Sequence, residues 1–169
     1  NVVARLRGRP GPFAGEHVVV GSHLDHLGVQ QGLLHPGADD DASGTTGVLA
    51  LANAFAKLPE RPARSLVFVT FCGEELGLLG SSWFVEHAPV PLGTIAAELQ
   101  MDMIGRNEEG PGEPASANVD TLHLIGTRKL SPELHELCLA TNARGTGFTF
   151  EWDEEDVFFR SDHASFARR

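Results

Sequence analysis

The chain reads as an α/β protein, a sheet with helices on both faces. Two observations predict this. Short apolar runs of strand length, such as His17 to Ser22 and Ser65 to Cys72, alternate with segments whose apolar residues recur at helical spacing. At 169 residues, 41% of them hydrophobic, the chain is long enough for one domain with a real core, taken as residues 1–169.

The elements follow in order. Asn1 to Arg7 alternates apolar and polar residues, as a half-buried strand does, and Pro10-Gly11-Pro12 turns the chain. His17 to Ser22 is a short, strongly apolar strand. Asp25 to Pro36, rich in Gly and His, reads as a loop. Ser43 to Leu58 is helical: Val48, Leu51, Ala52, Phe55 and Ala56 share a face, and Pro59 lies beyond the end. Ser65 to Cys72, β-branched and aromatic, is a buried strand. Glu74 to His87 is expected to be helical, with Leu76, Leu79, Trp83 and Phe84 on one face, and Thr94 to Met103 to be a strand. Asn107 to Asn118 reads as a mobile, solvated loop. Asp120 to Gly126 is a strand, and Pro132 to Asn142 a helix with Ser131 as N-cap and Pro132 at its first position. Phe148 to Trp152 is a short strand.

Composition narrows the function. The net charge is −10 and no basic stretch is long enough to grip phosphate, which argues against nucleic acid. No run of 18 apolar residues is present to span a membrane. The start at Asn1, without Met, implies a processed or trimmed sequence. Two cysteines are too few for a disulfide scaffold, and Cys72 in its apolar run reads as a buried free thiol.

The acidic residues are not spread evenly. His23-Leu24-Asp25, Asp39-Asp40-Asp41, Glu74-Glu75, Asp102 and Ser161-Asp162-His163 are nitrogen and oxygen donors of the kind that hold a pair of zinc ions. His23, Glu74, Glu75 and Asp102 each fall where a strand ends, and sites in α/β sheets form beyond those carboxyl ends. Asp25 is a candidate to accept the second ring N–H of His23, as carboxylates do for metal-bound histidines. One helix cap cannot explain three consecutive aspartates, and a carboxylate can bridge two cations. If Glu74 and Glu75 open a helix, they point about 100° apart, so one could ligate a metal while the other faces the attacking water. Each motif also has a plain structural reading: a loop hydrogen bond for His23, helix-dipole placement for the glutamates, a salt bridge to Arg106 for Asp102, a capping Ser161 beside His163. His17, His26, His35, His87, His123 and His135 lack such settings and read as surface or core residues.

In sequence order, HLDHLG, PGADDDASG, EELGLLGS, MDMIGRN and RSDHASF resemble the dizinc aminopeptidases of metallopeptidase family 28, across almost the whole chain. The resemblance implies a three-layer sandwich with a mixed, mostly parallel sheet, of the phosphorylase/hydrolase-like zinc exopeptidase type, apparently truncated at both ends. It implies two zinc ions, for which cobalt or manganese can substitute. His23 and Asp102 would bind one and Glu75 and His163 the other, with Asp40 bridging them. Glu74 would be the general base, with Asp25 counted as the second catalytic residue, and the Asp40–Asp41 peptide would be cis. It further implies peptide substrates with a free N-terminus and an exported enzyme. The acidic segment Asp153 to Asp156 is a candidate anchor for the substrate's α-amino group. A single-zinc glutaminyl-cyclase-like transferase, a carboxypeptidase and an inactive receptor-like module are the alternatives on the same fold.

Overall fold

In the computed structural model the described residues are 1–107, 112–114, 116–152 and 157–169. They form two compact units, residues 1–105 with 161–169, and residues 106–160.

The first unit is built on a four-stranded sheet in the order β1-β5-β2-β6, with β1 spanning Val2–Leu6, β2 His17–His23, β5 Ser65–Phe71 and β6 Ile95–Gln100. β5, β2 and β6 run parallel, and β1 pairs antiparallel with β5 at one edge. Every residue of β5 is buried, as the unbroken apolar run predicts, whereas β1 is mostly exposed. Alternate side chains of these strands leave for opposite faces. On one face Val20, Leu66 and Phe68 pack with Val48, Ala52 and Phe55 of α1 (Ala42–Ala56). On the other, Val19, Val67, Val69 and Phe71 pack with Phe84 and Val85 of α2 (Leu79–Glu86) and with Phe166 of α5 (His163–Ala167). Phe71, Phe84 and Phe166 meet in tilted and edge-to-face pairs. Each fully buried Val or Phe is worth roughly 1.5–3 kcal/mol of transfer free energy, so this double core carries the unit. The sandwich of helix, mixed sheet and helix is the one expected.

Four local expectations fail. Asp25 to Pro36 is not all loop: β3 (Gly28–Gln30) and β4 (Leu33–His35) form a hairpin. Its two turn residues, Gln31 and Gly32, both have positive φ, which matches the right-handed strand twist. The segment after β5 does not become helical at Glu74. Gly73, Gly77 and Leu78 all have positive φ, so Glu74 and Glu75 sit in a turn and α2 begins only at Leu79. The buried face of α2 is Gly80, Ser81, Phe84 and Val85, while Leu76, Leu79 and Trp83 are exposed. The short side chains at 80 and 81 let the helix lie close against the sheet: a Cβ on Gly80 would lie 2.7 Å from the Cys72 backbone nitrogen. Cys72 itself is exposed rather than buried.

The second unit holds a parallel pair, β7 (Thr121–His123) and β8 (Thr149–Glu151), a short α3 (Thr127–Leu130) and α4 (Pro132–Arg144). The start of α4 is as predicted: Ser131 Oγ accepts from Leu134 N, with Pro132 in the first turn. His135, Phe150 and Arg128 gather around Trp152. Part of the expected loop 107–118, and all of Asp153 to Asp156, lie outside the described residues.

Candidate metal centre

The carboxyl ends of β2, β5 and β6 and the start of α1 bring the acidic motifs together in the first unit. His23, the last residue of β2, is almost fully buried and held at three points. Its N–H donates to Asp41 Oδ2 at 2.9 Å, its C=O accepts from Thr45 Oγ1 at 2.8 Å, and Nδ1 lies 2.9 Å from the Asp25 carbonyl. A carbonyl only accepts, so Nδ1 carries a hydrogen, and Nε2 is the atom turned to the site. Nε2 faces Asp40 Oδ1 at 3.1 Å and Asp102 Oδ1 at 3.6 Å.

The three aspartates divide the work. Asp39 Oδ1 accepts from Gly105 N at 2.7 Å, and Ser43, whose hydroxyl donates to the Asp39 carbonyl, accepts from Ile104 N; together they pin the turn after Asp102. Asp41 caps α1 through Gly44 N and also accepts from His23 N and Met103 N, so its two oxygens serve three backbone amides. Asp40 lies between, across a cis Asp40–Asp41 peptide, the isomer the resemblance implies. Its Oδ1 faces His23, and its Oδ2 lies 3.7 Å from His26 Nδ1.

Asp25 touches His23 through its carbonyl, and its carboxylate lies 3.9 Å from Nδ1. The carboxylate instead accepts from the N–H groups of Gly73, Glu74 and Glu75, at 2.8, 3.2 and 3.4 Å. This shapes the turn that carries the two glutamates. Three backbone amides pointing one way are a signal that a helix-dipole reading of the sequence does not contain.

Among the described residues two groups of donors converge to within 4.8 Å: His23 with Asp41 and Asp102, and His26 with Asp40 and Glu75. His163 belongs to neither; it opens α5, and its charge helps to lower Asp102. His26, read from sequence as an ordinary residue, stands instead beside Glu75. Its signal was the three-residue spacing from His23 together with Gly37, where a Cβ would lie 2.6 Å from His26 Cβ.

The electrostatics are those of a site short of positive charge. Burial alone would lower the His23 ring, but hydrogen bonding to Asp102 and the charges of Asp102, Asp41 and Glu74 raise it to about 10. Burial pushes Asp41 up to about 7 against the pull of the His23 amide. Burial likewise raises Glu74 to about 7; His23 opposes this, while Asp162, Asp102 and Glu75 add to it. Burial works to raise Asp102 too, yet hydrogen bonds from His23 and Ser161 and the charges of His23 and His163 hold it below its usual value. His26 Nδ1 and Glu75 Oε1 lie 2.7 Å apart, shielded from solvent, and neither makes a hydrogen bond. Two close polar atoms without a shared hydrogen, among mutually repelling carboxylates, fit a cation. Imidazole nitrogens mixed with carboxylates suit zinc better than magnesium or calcium.

Donor groups of this kind beyond the carboxyl ends of parallel strands give this α/β protein a candidate metal site. The chain belongs to peptidase family M28, whose sequence profile matches residues 1–169. A probable zinc metalloprotease of Pyrenophora teres f. teres is 36% identical over 67% of this chain and 24% of its own length. The aminopeptidase from Aneurinibacillus sp. strain AM-1 superposes with a TM-score of 0.73 at 26% identity, covering 98% of this chain and 36% of that one. A glutaminyl cyclase of Porphyromonas gingivalis shares the fold, with a TM-score of 0.71 at 18% identity over 98% of this chain and 58% of that one. The chain thus spans about a quarter of the Pyrenophora relative.

Proposed function

We propose that this chain is the catalytic core of a dizinc aminopeptidase that releases N-terminal residues from peptides. The observation that carries the reading is the placement of Asp40. Its two oxygens face two different histidines, with Asp102 on the His23 side and Glu75 on the His26 side. A carboxylate so placed could serve two cations. His23 and Asp102 would hold one zinc. Glu75 and His163, the pair the family pattern assigns, would hold the other, with His26 the competing donor beside Glu75.

Zinc at this position supplies Lewis-acid polarisation of the scissile carbonyl and acidifies the attacking water. Glu74 takes the water's proton on its carboxylate and returns it to the leaving amine. A carboxyl raised to about 7 by burial is matched to accepting and returning a proton near neutral pH. Asp25, gripping the amides of residues 73–75, holds Glu74 and Glu75 on their separate tasks.

The test uses the full-length protein. Elemental analysis after dialysis against trace zinc is expected to give two zinc ions per chain, and Ala substitution of His163, not of His26, to reduce that to one. Aminoacyl nitroanilides are expected to be cleaved and N-acetylated analogues to be poor substrates. One zinc in the unmodified protein with cyclisation of N-terminal glutamine would establish the cyclase-like reading instead. Cleavage indifferent to N-acetylation would end the aminopeptidase assignment.

A further inference from the structure

Below the metal centre lies a second acidic group that the proposed reaction does not use. Glu98 and Gln100 of β6 project on the α2/α5 face of the sheet, paired with Val19 and Gly21 of β2. Gly21 makes room for them: a Cβ there would lie 3.0 Å from Glu98 Oε1 and 3.0 Å from the Phe71 ring, and would collide with Gln100 Oε1. Both Glu98 oxygens, Gln100 Oε1 and Asp162 Oδ1 are shielded from solvent and accept no hydrogen bond. The Gln100 amide nitrogen is turned to Asp162, donating to Asp162 Oδ2 at 3.3 Å, and neither of its two hydrogens reaches Glu98. Asp162 is fully buried and immediately precedes His163 at the start of α5.

Four buried acceptors cannot stand together without a hydrogen between them. The charged group acting on Glu98 is Asp162, which repels it; Asp162 in turn feels His23, Asp102 and Asp25. The facing residues of β2 and β5, Val19, Gly21 and Phe71, are not ionisable, and α2 offers the neutral Ser81, whose hydroxyl meets Ser165 Oγ at 2.9 Å. Two carboxylates in one apolar pocket do not both ionise.

We propose that Glu98 is carried as a neutral acid that donates its hydrogen to Gln100 Oε1, orienting the Gln100 amide so that it holds Asp162 and thereby the His163 end of α5. The chain of donors runs Glu98 O–H to Gln100 Oε1, then Gln100 N–H to Asp162 Oδ2. One proton on Glu98 gives a donor to the Glu98–Gln100 pair, whose oxygens otherwise have none. Burial raises the Glu98 carboxyl to about 8, which agrees with a protonated group at neutral pH. Glu98 is a positioning residue: it reaches the metal centre only through Gln100 and Asp162. Its consequence for zinc rests on the proposed role of His163, whereas its protonation does not.

Infrared spectra of the full-length protein test the protonation directly. A protonated carboxyl band is expected at pH 7, absent in Glu98→Gln and lost from the unmodified protein as pH rises through about 8. Zinc titration tests the positioning. Glu98→Gln keeps a neutral donor and is expected to bind zinc as the unmodified protein does. Glu98→Met, neutral and similar in size but without a donor, is expected to bind the second zinc about 10- to 100-fold more weakly, the usual effect of losing such outer support. A pH 7 spectrum with no band sensitive to Glu98→Gln overturns the proposal, as does equal zinc affinity in the Gln and Met variants. Should Glu98→Met fail to fold, the infrared comparison of the unmodified and Gln proteins decides. If the unmodified protein binds no zinc at all, the dizinc reading fails and the infrared result still judges Glu98.

Discussion

The two units of the chain are stabilised in different ways. In the first, β2 and β5 are buried along almost their whole length and sandwiched between two apolar clusters. In the second, α4 runs thirteen residues without a buried side chain, and β7 and β8 are three residues each. The ionisable groups differ in the same direction. Among the described residues, the acids pushed from their usual range all belong to the first unit: Asp41, Glu74, Glu98, Asp102 and Asp162. Among the described residues of the second unit, the partly buried Cys138 thiol is raised, by desolvation. A site that holds carboxylates in mutual repulsion needs a rigid frame, and the frame lies where the apolar burial is.

The sharpest test of that contrast removes one large side chain from each unit. Phe71 is fully buried between Val19, Phe84 and Phe166. Phe71→Ala is expected to destabilise the full-length protein by about 3–5 kcal/mol through the cavity it leaves. Leu137 on α4 is 57% exposed, and Leu137→Ala is expected to change stability by no more than about 0.5 kcal/mol. Urea unfolding measures both. Similar losses from the two substitutions would mean that the second unit has a core which exposure in this chain does not reveal.

The same contrast governs how much the sequence discloses. The buried strands were legible because continuous apolar runs have few other uses, and α1 and α4 because caps and periodicity agree. Of the donor residues picked out in the sequence, His23, Asp40, Glu75 and Asp102 lie in the two converging groups, whereas His163 lies in neither. What escaped was geometry set by backbone conformation and by distant partners. Glu74 and Glu75 follow a strand and precede a helix, yet three positive-φ residues keep them in a turn. The Asp25 carboxylate serves amides 48 to 50 residues away. His26 was set aside because nothing in its neighbours announces Gly37 folding back against it. Periodicity reports local faces; it carries no information about which loop returns to which.

A second test separates frame from chemistry inside the first unit. Glu74 is only partly buried and its carboxylate is repelled by its neighbours, so Glu74→Gln should not destabilise the fold. It removes the proton acceptor while keeping shape, and the expected loss in kcat is about 100- to 10,000-fold, with metal content retained. Glu75→Gln should act the other way, lowering metal content first. Activity assays paired with elemental analysis read both. Full turnover by Glu74→Gln at normal metal content would remove the role given to Glu74, and loss of metal in that variant would make it a ligand.

The smallest effect is expected at the start of α4. Ser131 Oγ accepts from Leu134 N, satisfying one of the amides that a helix leaves open at its first turn. Ser131→Ala removes that acceptor and should cost about 1 kcal/mol, the usual value for an N-cap. Because α4 has no buried side chain to anchor it, the loss should appear as local opening rather than as a shift of the main unfolding transition. Hydrogen exchange is the fitting measurement. Amides of α4 should exchange about fivefold faster, since a factor of ten corresponds to about 1.4 kcal/mol, while those of β5 keep their protection. Equal acceleration in α4 and β5 would show that both open in one cooperative step, and the distinction drawn here between a framed unit and a lightly anchored one would collapse.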